Sequence, residues 1–376
     1  MLTLVIVVVI TALVFEYING FHDTANSIAT VVATKVLSPM QAVGLAAGMN
    51  LIGALAGTAV AKTIASGLID VGVVDVGAQL ILCALMGGIV WNLITWWLGL
   101  PSSSSHALIG GLVGAALAAA HNDFGALIWS EPADPLWRSG GLLWKVIVPM
   151  VSSPVLGFVA GFLVMGVLFF LISMMVRAGG ALARAARPRW VNGFFGKSQI
   201  VSAASMGFAH GMNDAQKTMG IIALLLVSAQ VNGTLDDLPG WLAFLHPSPG
   251  AIAEGDIDLW IKVTCALVMA AGTAAGGWRI IKTLGHKLVK LHPIHGFAAE
   301  SAGASVILAA SSLGIPVSTT HNISAAIMGV GTAKRFNALK WTVVEKMLWA
   351  WILTIPAAGG VAYLMFQALR AAGLVA

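Results

Sequence analysis

Long apolar runs broken by short polar clusters set the plan of this chain. The runs fall at 3 to 19, 24 to 36, 40 to 63, 78 to 99, 104 to 120 and 144 to 176. A second set falls at 198 to 210, 214 to 231, 259 to 281, 297 to 313, 318 to 333 and 341 to 369. A helix needs about 20 apolar residues to cross the hydrocarbon core of a bilayer. These lengths therefore predict membrane helices and helical pieces, with little chain left for a soluble domain. Composition agrees, because 58% of the 376 residues are hydrophobic and only 9% are charged, against about 25% charged in soluble domains. A soluble enzyme and a disordered chain are both excluded. Residues 1 to 19 lack a basic n-region and a small-residue cleavage site, which predicts an uncleaved first helix. Cys83 and Cys265 sit inside apolar runs, so neither a disulfide framework nor a cysteine metal site is expected.

The two sets of runs read as copies of one unit. Gly20-Phe21-His22-Asp23-Thr24-Ala25-Asn26-Ser27 aligns with Gly211-Met212-Asn213-Asp214-Ala215-Gln216-Lys217-Thr218, keeping the glycine, the aspartate and the last hydroxyl in register. Pro101-Ser102-Ser103-Ser104-Ser105-His106 aligns with Pro316-Val317-Ser318-Thr319-Thr320-His321 in the same order. One such match is within chance, but two polar motifs at matching places in the hydropathy pattern point to duplication. Membrane repeat 1 is placed at 1–176, a basic linker at 177–197 and membrane repeat 2 at 198–376.

Charge then assigns sides, because Lys and Arg are retained in the cytoplasm. Arg177, Arg184, Arg187, Arg189 and Lys197 mark the linker as cytoplasmic, as do Arg279, Lys282, Lys287 and Lys290, then Lys334, Arg335 and Lys340. Acidic stretches at 64 to 77 (Asp70, Asp75), 121 to 137 (Asp123, Glu131, Asp134) and 232 to 258 (Asp236, Asp237, Glu254, Asp256, Asp258) are expected outside. The net charge of +5 is thus read as topology and not as nucleic-acid binding. On this assignment 78 to 120 and 297 to 333 leave and return on opposite sides, so the repeats are inverted. The expected fold is an all-α polytopic membrane protein of two inverted-topology repeats with discontinuous helices and paired helical hairpins, an architecture common among secondary transporters. Whether 78–120 and 297–333 are hairpins or full spans is left open. Trp91, Trp96 and Trp97 read as interfacial anchors.

Polar groups inside hydrocarbon cost several kcal/mol each unless satisfied, so the clusters must line an enclosed cavity. Gly20 and Gly211 are expected to break their helices, leaving Asn19, His22, Asp23 and Asn26 in one half and His210, Asn213, Asp214 and Lys217 in the other around the break. Ser102 to Ser105 and Ser318 to Thr320 follow a proline and precede an apolar helix, the pattern of a helix start. Two such starts face an anion with free N–H groups, the positive dipole end and hydroxyl donors. The substrate implied is a small oxyanion. Two aspartates in the same cavity would repel it unless a cation or proton travels with it, which points to symport. Their oxygens can accept a hydrogen bond from protonated phosphate, whereas sulfate carries no proton near neutral pH.

Asn19 to Ser27, Ala209 to Asp214 and Gly314 to His321, together with Gly67-Leu68-Ile69-Asp70 and Trp349-Ala350-Trp351 to Pro356, strongly resemble the inorganic phosphate transporter (PiT) family, along nearly the whole chain. The resemblance implies phosphate uptake coupled to a cation, sodium in many members and protons in low-affinity bacterial ones, some of which carry neutral metal phosphate. Carried over by position, Asp23 and Asp214, with Asn19 and Glu300, are the expected coupling-cation residues. Asn26, Asn213, Ser103, Ser104, Ser105, Ser318, Thr319 and Thr320 are the expected phosphate contacts. His22, His106, His210 and His321 are candidates for a proton relay. His22 stands where members often have Asn, and Lys62 where animal members often have Glu, which favours protons over sodium.

Plainer roles compete. The alternative readings are the aspartates as caps, the hydroxyls as helix glue, the histidines as ordinary hydrogen-bond partners, and Glu300 as a fold-stabilising partner of Lys62, but buried membrane carboxylates and duplicated hydroxyl starts favour function for the first two. Competing functions are a sodium-coupled symporter, an anion channel, and a membrane hydrolase using Ser105 and His106. The hydrolase gives no reason for the motif to appear twice, so no enzyme activity is expected. No resident cofactor or permanent metal is expected either; the co-ion is H+ or Na+, with a divalent metal carried only alongside phosphate. Expected partners are inorganic phosphate and membrane lipid in a bacterial inner membrane, crossed many times, with a homodimer left open and no nucleic acid.

Overall fold

The structure, a computed structural model, describes all residues except 67, 70–72, 74, 75, 135–138 and 376. Gly67, Asp70 and Asp75 therefore lie outside the described residues. The chain opens with α1 (Leu2–Ala33), α2 (Pro39–Leu55), α3 (Ala59–Ser66), α4 (Ala78–Leu98), α5 (Ser104–Ala119) and α6 (Val148–Ala178), the last entered through a π-helical turn at Leu143–Ile147. α7 (Gly180–Ala185) follows in the linker. The second half holds α8 (Pro188–Val231), α9 (Pro249–Glu254), α10 (Leu259–Ala275), α11 (Trp278–Lys282), α12 (Pro293–Ser312), α13 (Thr319–Lys334) and α14 (Trp341–Ala371). Proline opens α2, α8, α9 and α12, where its fixed φ suits a helix and its missing N–H costs nothing. α8 starts inside the predicted linker.

Among the described residues, α1, α4, α6 with its π-turn and α14 are long and apolar enough to cross a membrane. α8, at 44 residues, is roughly 66 Å long at 1.5 Å per residue; its polar positions set it apart, and His210 and Asn213 to Thr218 are all buried. α6 turns Val151, Val155, Leu163 and Phe170 outward, and α14 turns out Trp349, Ile352 and Leu364. Exposed apolar flanks around a buried polar centre are the reverse of a soluble domain.

The breaks do not fall where expected. α1 runs unbroken through Gly20 and α8 through Gly211. The interruptions come one element later, between α2 and α3 at Ala56 to Thr58 and between α10 and α11 at Gly276 and Gly277. Gly276 has φ +74, which lets the chain turn there without the strain a side chain would bring. Gly20 and Gly211 serve close packing instead. A Cβ on Gly20 would lie 2.5 Å from the Met269 carbonyl oxygen of α10, and one on Gly211 would overlap the Asn50 backbone of α2. α1 thus packs on α10 and α8 on α2, and small residues permit it.

The exchange continues outward. α5 packs along α14, where Gly110 and Gly114 meet Ile355 and Gly359, and α13 packs along α6, where Gly157 and Gly161 meet Asn322 and Ala326. The turns joining α4 to α5 and α12 to α13 carry Pro101 to Ser103 and Pro316 to Ser318, all buried, so both are sunk in the protein. The loops sort by charge. The Lys340 N–H donates to the Leu288 carbonyl at 3.1 Å, joining two basic stretches. Two acidic stretches meet elsewhere, where Ile128 N–H donates to Leu68 at 3.2 Å, and α8 and α3 reach the acidic stretches beside them: Ser228 donates to Val76 at 2.9 Å and Lys62 pairs with Asp256 at 2.6 Å. Lys62 is therefore not the partner of Glu300. Trp96 and Trp97 lie under the Arg279 guanidinium, whereas Trp91 turns inward and donates to Thr354 at 2.9 Å.

Candidate functional site

α5 and α13 begin alike, at the residues where the proline-hydroxyl pattern predicts helix starts. Ser103 and Ser318 are N-caps in extended backbone. Each hydroxyl accepts from the backbone N–H three residues on, His106 at 3.2 Å and His321 at 3.1 Å. These caps fix Ser104 with Ser105, and Thr319 with Thr320, on first turns at the positive ends of the helix dipoles. All six residues are buried.

Both starts converge on α1 and α8. Asp23 accepts from Ser104 of α5 and, at 3.3 Å, from Thr320 of α13. Asn19, one turn before, accepts from Ser104 at 2.8 Å. Asn26, one turn after, donates to Thr319 at 3.2 Å and Thr320 at 2.9 Å. On α8, Asp214 accepts from Thr319 at 2.7 Å and pairs with Lys217. Lys217 also donates to Ser105 of α5 and, at 3.1 Å, to the Val317 carbonyl. Two contacts recur between the motif copies: Ser104 is to Asp23 as Thr319 is to Asp214, and Ser105 is to Lys217 as Thr320 is to Asn26.

Two of the four histidines touch the carboxylates. His22 Nδ1 lies 2.6 Å from Asp23 and its Nε2 3.1 Å from Thr95, which in turn accepts from Ser102 at 2.8 Å. His210 Nε2 lies 3.0 Å from Asp214, and its Nδ1 3.2 Å from Asn50. His106 and His321 instead meet edge to face at 4.7 Å, and His321 stacks on Trp351 at 4.2 Å. Asp23, His210 and Asp214 offer ligand atoms that all lie within 4.8 Å of one another, close enough to share one cation.

Other expected residues stand apart. Asn213 donates to Ser311 at the end of α12, at 2.8 Å, and makes no contact with the helix starts. Glu300 is held by Thr30 of α1 and by Gln199 and Ser202 of α8. Thr30 is seven residues beyond Asp23, roughly 10 Å along the helix. Seven residues before Asp23 is Glu16, fully buried and bonded by Thr218. Sequence reading passed over Glu16 beside Tyr17 as a helix end. Its signal was the spacing, because 16, 19, 23, 26 and 30 share one face of α1. Gln216, part of the second polar motif, turns elsewhere; its side-chain oxygen accepts from Val60 N–H at 2.8 Å and Ala61 N–H at 3.3 Å, capping the start of α3.

A helical bundle with apolar flanks and charged residues enclosed at paired helix starts is built as a membrane transporter. The chain matches the phosphate transporter family over residues 19–362 and belongs to it. It is 41% identical to a probable low-affinity inorganic phosphate transporter of Bacillus subtilis (strain 168), over 98% of each chain. It is 43% identical to one from Rhizobium meliloti (strain 1021), over 97% of this chain and 96% of that one. Among solved structures it resembles "The sodium-dependent phosphate transporter", with TM-score 0.76 and 23% identity, over 98% of this chain and 99% of that one. Phosphate is the substrate of this family, and the chain is a membrane transporter, not an enzyme. Ser105 and His106 are correspondingly not a nucleophile and base: Ser105 takes its bond from Lys217.

Proposed function

We propose that the chain is a secondary active symporter that imports inorganic phosphate together with protons, in preference to sodium. The observation carrying this reading is that hydroxyls from both helix starts meet two carboxylates, Asp23 and Asp214, in one buried cluster. Phosphate takes the place of these internal contacts, receiving bonds from Asn26, Ser104, Ser105, Thr319 and Thr320, while the Ser103 and Ser318 caps hold the starts in position. A phosphate anion beside ionised Asp23 is repelled, so a proton on Asp23, exchanged with His22 at 2.6 Å, must accompany it. Glu16, two helical turns before Asp23 on α1, and Glu300 of α12, which meets α1 at Thr30 two turns beyond it, are further carboxylates without a Lys or Arg partner among the described residues. They extend a line of proton-holding groups across the centre.

The loop contacts support two inverted repeats, with the basic stretches cytoplasmic and the acidic ones outside, and the buried turns support two hairpins that enter from opposite sides. Alternating access then follows from rocking one set against the other, in a bacterial inner membrane. Sodium coupling is the second reading, favoured by the ligand cluster of Asp23, His210 and Asp214. A channel fits less well, because charged groups in a non-repeating path bind too tightly for fast conduction.

Radiolabelled phosphate uptake into proteoliposomes separates these readings. An inward proton gradient without sodium is expected to drive accumulation, a protonophore to abolish it, and an inward sodium gradient at equal pH to give none. Accumulation driven by sodium alone overturns the proton reading, and equilibration without accumulation overturns symport. Repeating the assay with and without a divalent metal distinguishes free from metal-bound phosphate.

A further inference from the structure

The two halves of the centre are not equivalent. In the aligned motifs Lys217 occupies the position of Asn26. Asn26 extends a neutral amide to Thr319 and Thr320 at the start of α13. Lys217 extends an ammonium to Ser105 at the start of α5, and its other partners are the Asp214 carboxylate and the Val317 carbonyl. Lys217 is 3% exposed. An ammonium has three N–H donors and no acceptor, and here each donor meets an oxygen. One oxygen is a carboxylate, one a hydroxyl and one the carbonyl of the extended segment leading into α13. This is the donor set that transporters assemble around an alkali cation from unwound backbone and buried side chains.

We infer that the Lys217 ammonium is a tethered substitute for a transported cation, filling in the second half a site that an alkali ion would otherwise occupy between Asp214, Ser105 and the Val317 carbonyl. Asp214 is then neutralised permanently, and only Asp23, faced by His22, is left to take up and release a charge in each cycle. The halves divide the work, with Asp214 and Lys217 a fixed pair and Asp23 the exchangeable site. The charged and titratable groups around Asp214 are Lys217 and His210 from α8, Asp23 and Glu16 from α1, and His106 from α5. Removing the ammonium leaves a buried carboxylate uncompensated, which is strongly unfavourable and is relieved most directly by a small cation. The inference rests on the symport reading above and concerns which residue makes sodium unnecessary.

The test is phosphate uptake into proteoliposomes in sodium, potassium or choline medium, for the unmodified chain, Lys217→Asn and Lys217→Arg. The unmodified chain and Lys217→Arg are expected to be indifferent to the cation. Lys217→Asn, which copies the first half, is expected to be slow in choline and at least about tenfold faster in sodium, as compensation of a buried charge requires. Melting in detergent provides a second readout that does not need transport. Sodium is expected to raise the melting temperature of Lys217→Asn and not that of the unmodified chain. The inference is overturned if Lys217→Asn keeps cation-indifferent uptake, or if no alkali cation restores its uptake or stabilises it. Should Lys217→Asn not fold, Lys217→Gln takes the same measurements. Sodium-driven uptake by the unmodified chain would count against the proton reading instead, so the two failures are distinguishable.

Discussion

Asn26 links the two carboxylates through a short relay. Its amide donates to Thr320 at 2.9 Å, which donates to Asp23 at 3.3 Å, and to Thr319 at 3.2 Å, which donates to Asp214 at 2.7 Å. Asn26→Leu keeps the volume and removes both amide donations; at about 0.5–1.5 kcal/mol each, the loss is about 1–3 kcal/mol. Thr320→Val removes one of the same bonds and a charge-assisted bond to Asp23, for a loss of about 2–4.5 kcal/mol. The two substitutions share the Asn26–Thr320 bond, so the double variant is expected to fall short of additivity by about 1 kcal/mol. Thermal unfolding of the unmodified chain, the two single variants and the double variant in detergent measures this cycle, at roughly 2 °C per kcal/mol. Effects that add to within about 0.3 kcal/mol would refute the relay.

Glu300→Gln keeps one acceptor oxygen but turns an amide N–H₂ toward either Ser202 or the Thr30 and Gln199 pair, and is expected to destabilise by about 1–3 kcal/mol, read as a lower melting temperature. Gly20→Ala puts a methyl group 2.5 Å from the Met269 carbonyl; separating α1 from α10 is expected to cost about 1–3 kcal/mol and to slow uptake, whereas Gly48→Ala inside α2, which meets nothing, is expected to lower neither stability nor uptake, since alanine suits a helix better than glycine. The Lys62 ammonium hydrogen-bonded to Asp256 holds its carboxyl below the usual value. A depressed carboxyl stabilises above its unfolded pKa and loses that contribution as pH falls through the folded one. The small melting difference between the unmodified chain and Asp256→Asn is therefore expected at neutral pH and to vanish in acid, below the ordinary carboxylate range.

Much of the centre was legible because duplication reveals chemistry that a single motif does not. The paired proline-hydroxyl runs placed the starts of α5 and α13 at Ser104 and Thr319, and the paired aspartates placed the carboxylates they face. What misled was glycine. A glycine among polar residues reads as a helix break, but the same lack of a side chain lets another helix approach, and α1 and α8 keep their backbone bonds through Gly20 and Gly211. Their polar side chains are satisfied across helices instead of by unwinding. Long-range partners were equally hidden. Nothing local tells that Lys62 pairs with Asp256 and not Glu300, or that Asn213 turns to Ser311 and away from its motif neighbours. The asymmetry between Asn26 and Lys217 stood in the alignment, but its meaning needed the oxygens around the ammonium.

Joint entry of phosphate and a proton through the site at Asp23 is what sets the proposed transport apart. It is tested most directly by following the internal pH of sodium-free proteoliposomes with an entrapped dye while phosphate is added outside. Phosphate is expected to acidify the lumen, sulfate is not, and Asp23→Asn is expected to abolish the signal. Phosphate entry with no change in internal pH, or a full signal from Asp23→Asn, would contradict it.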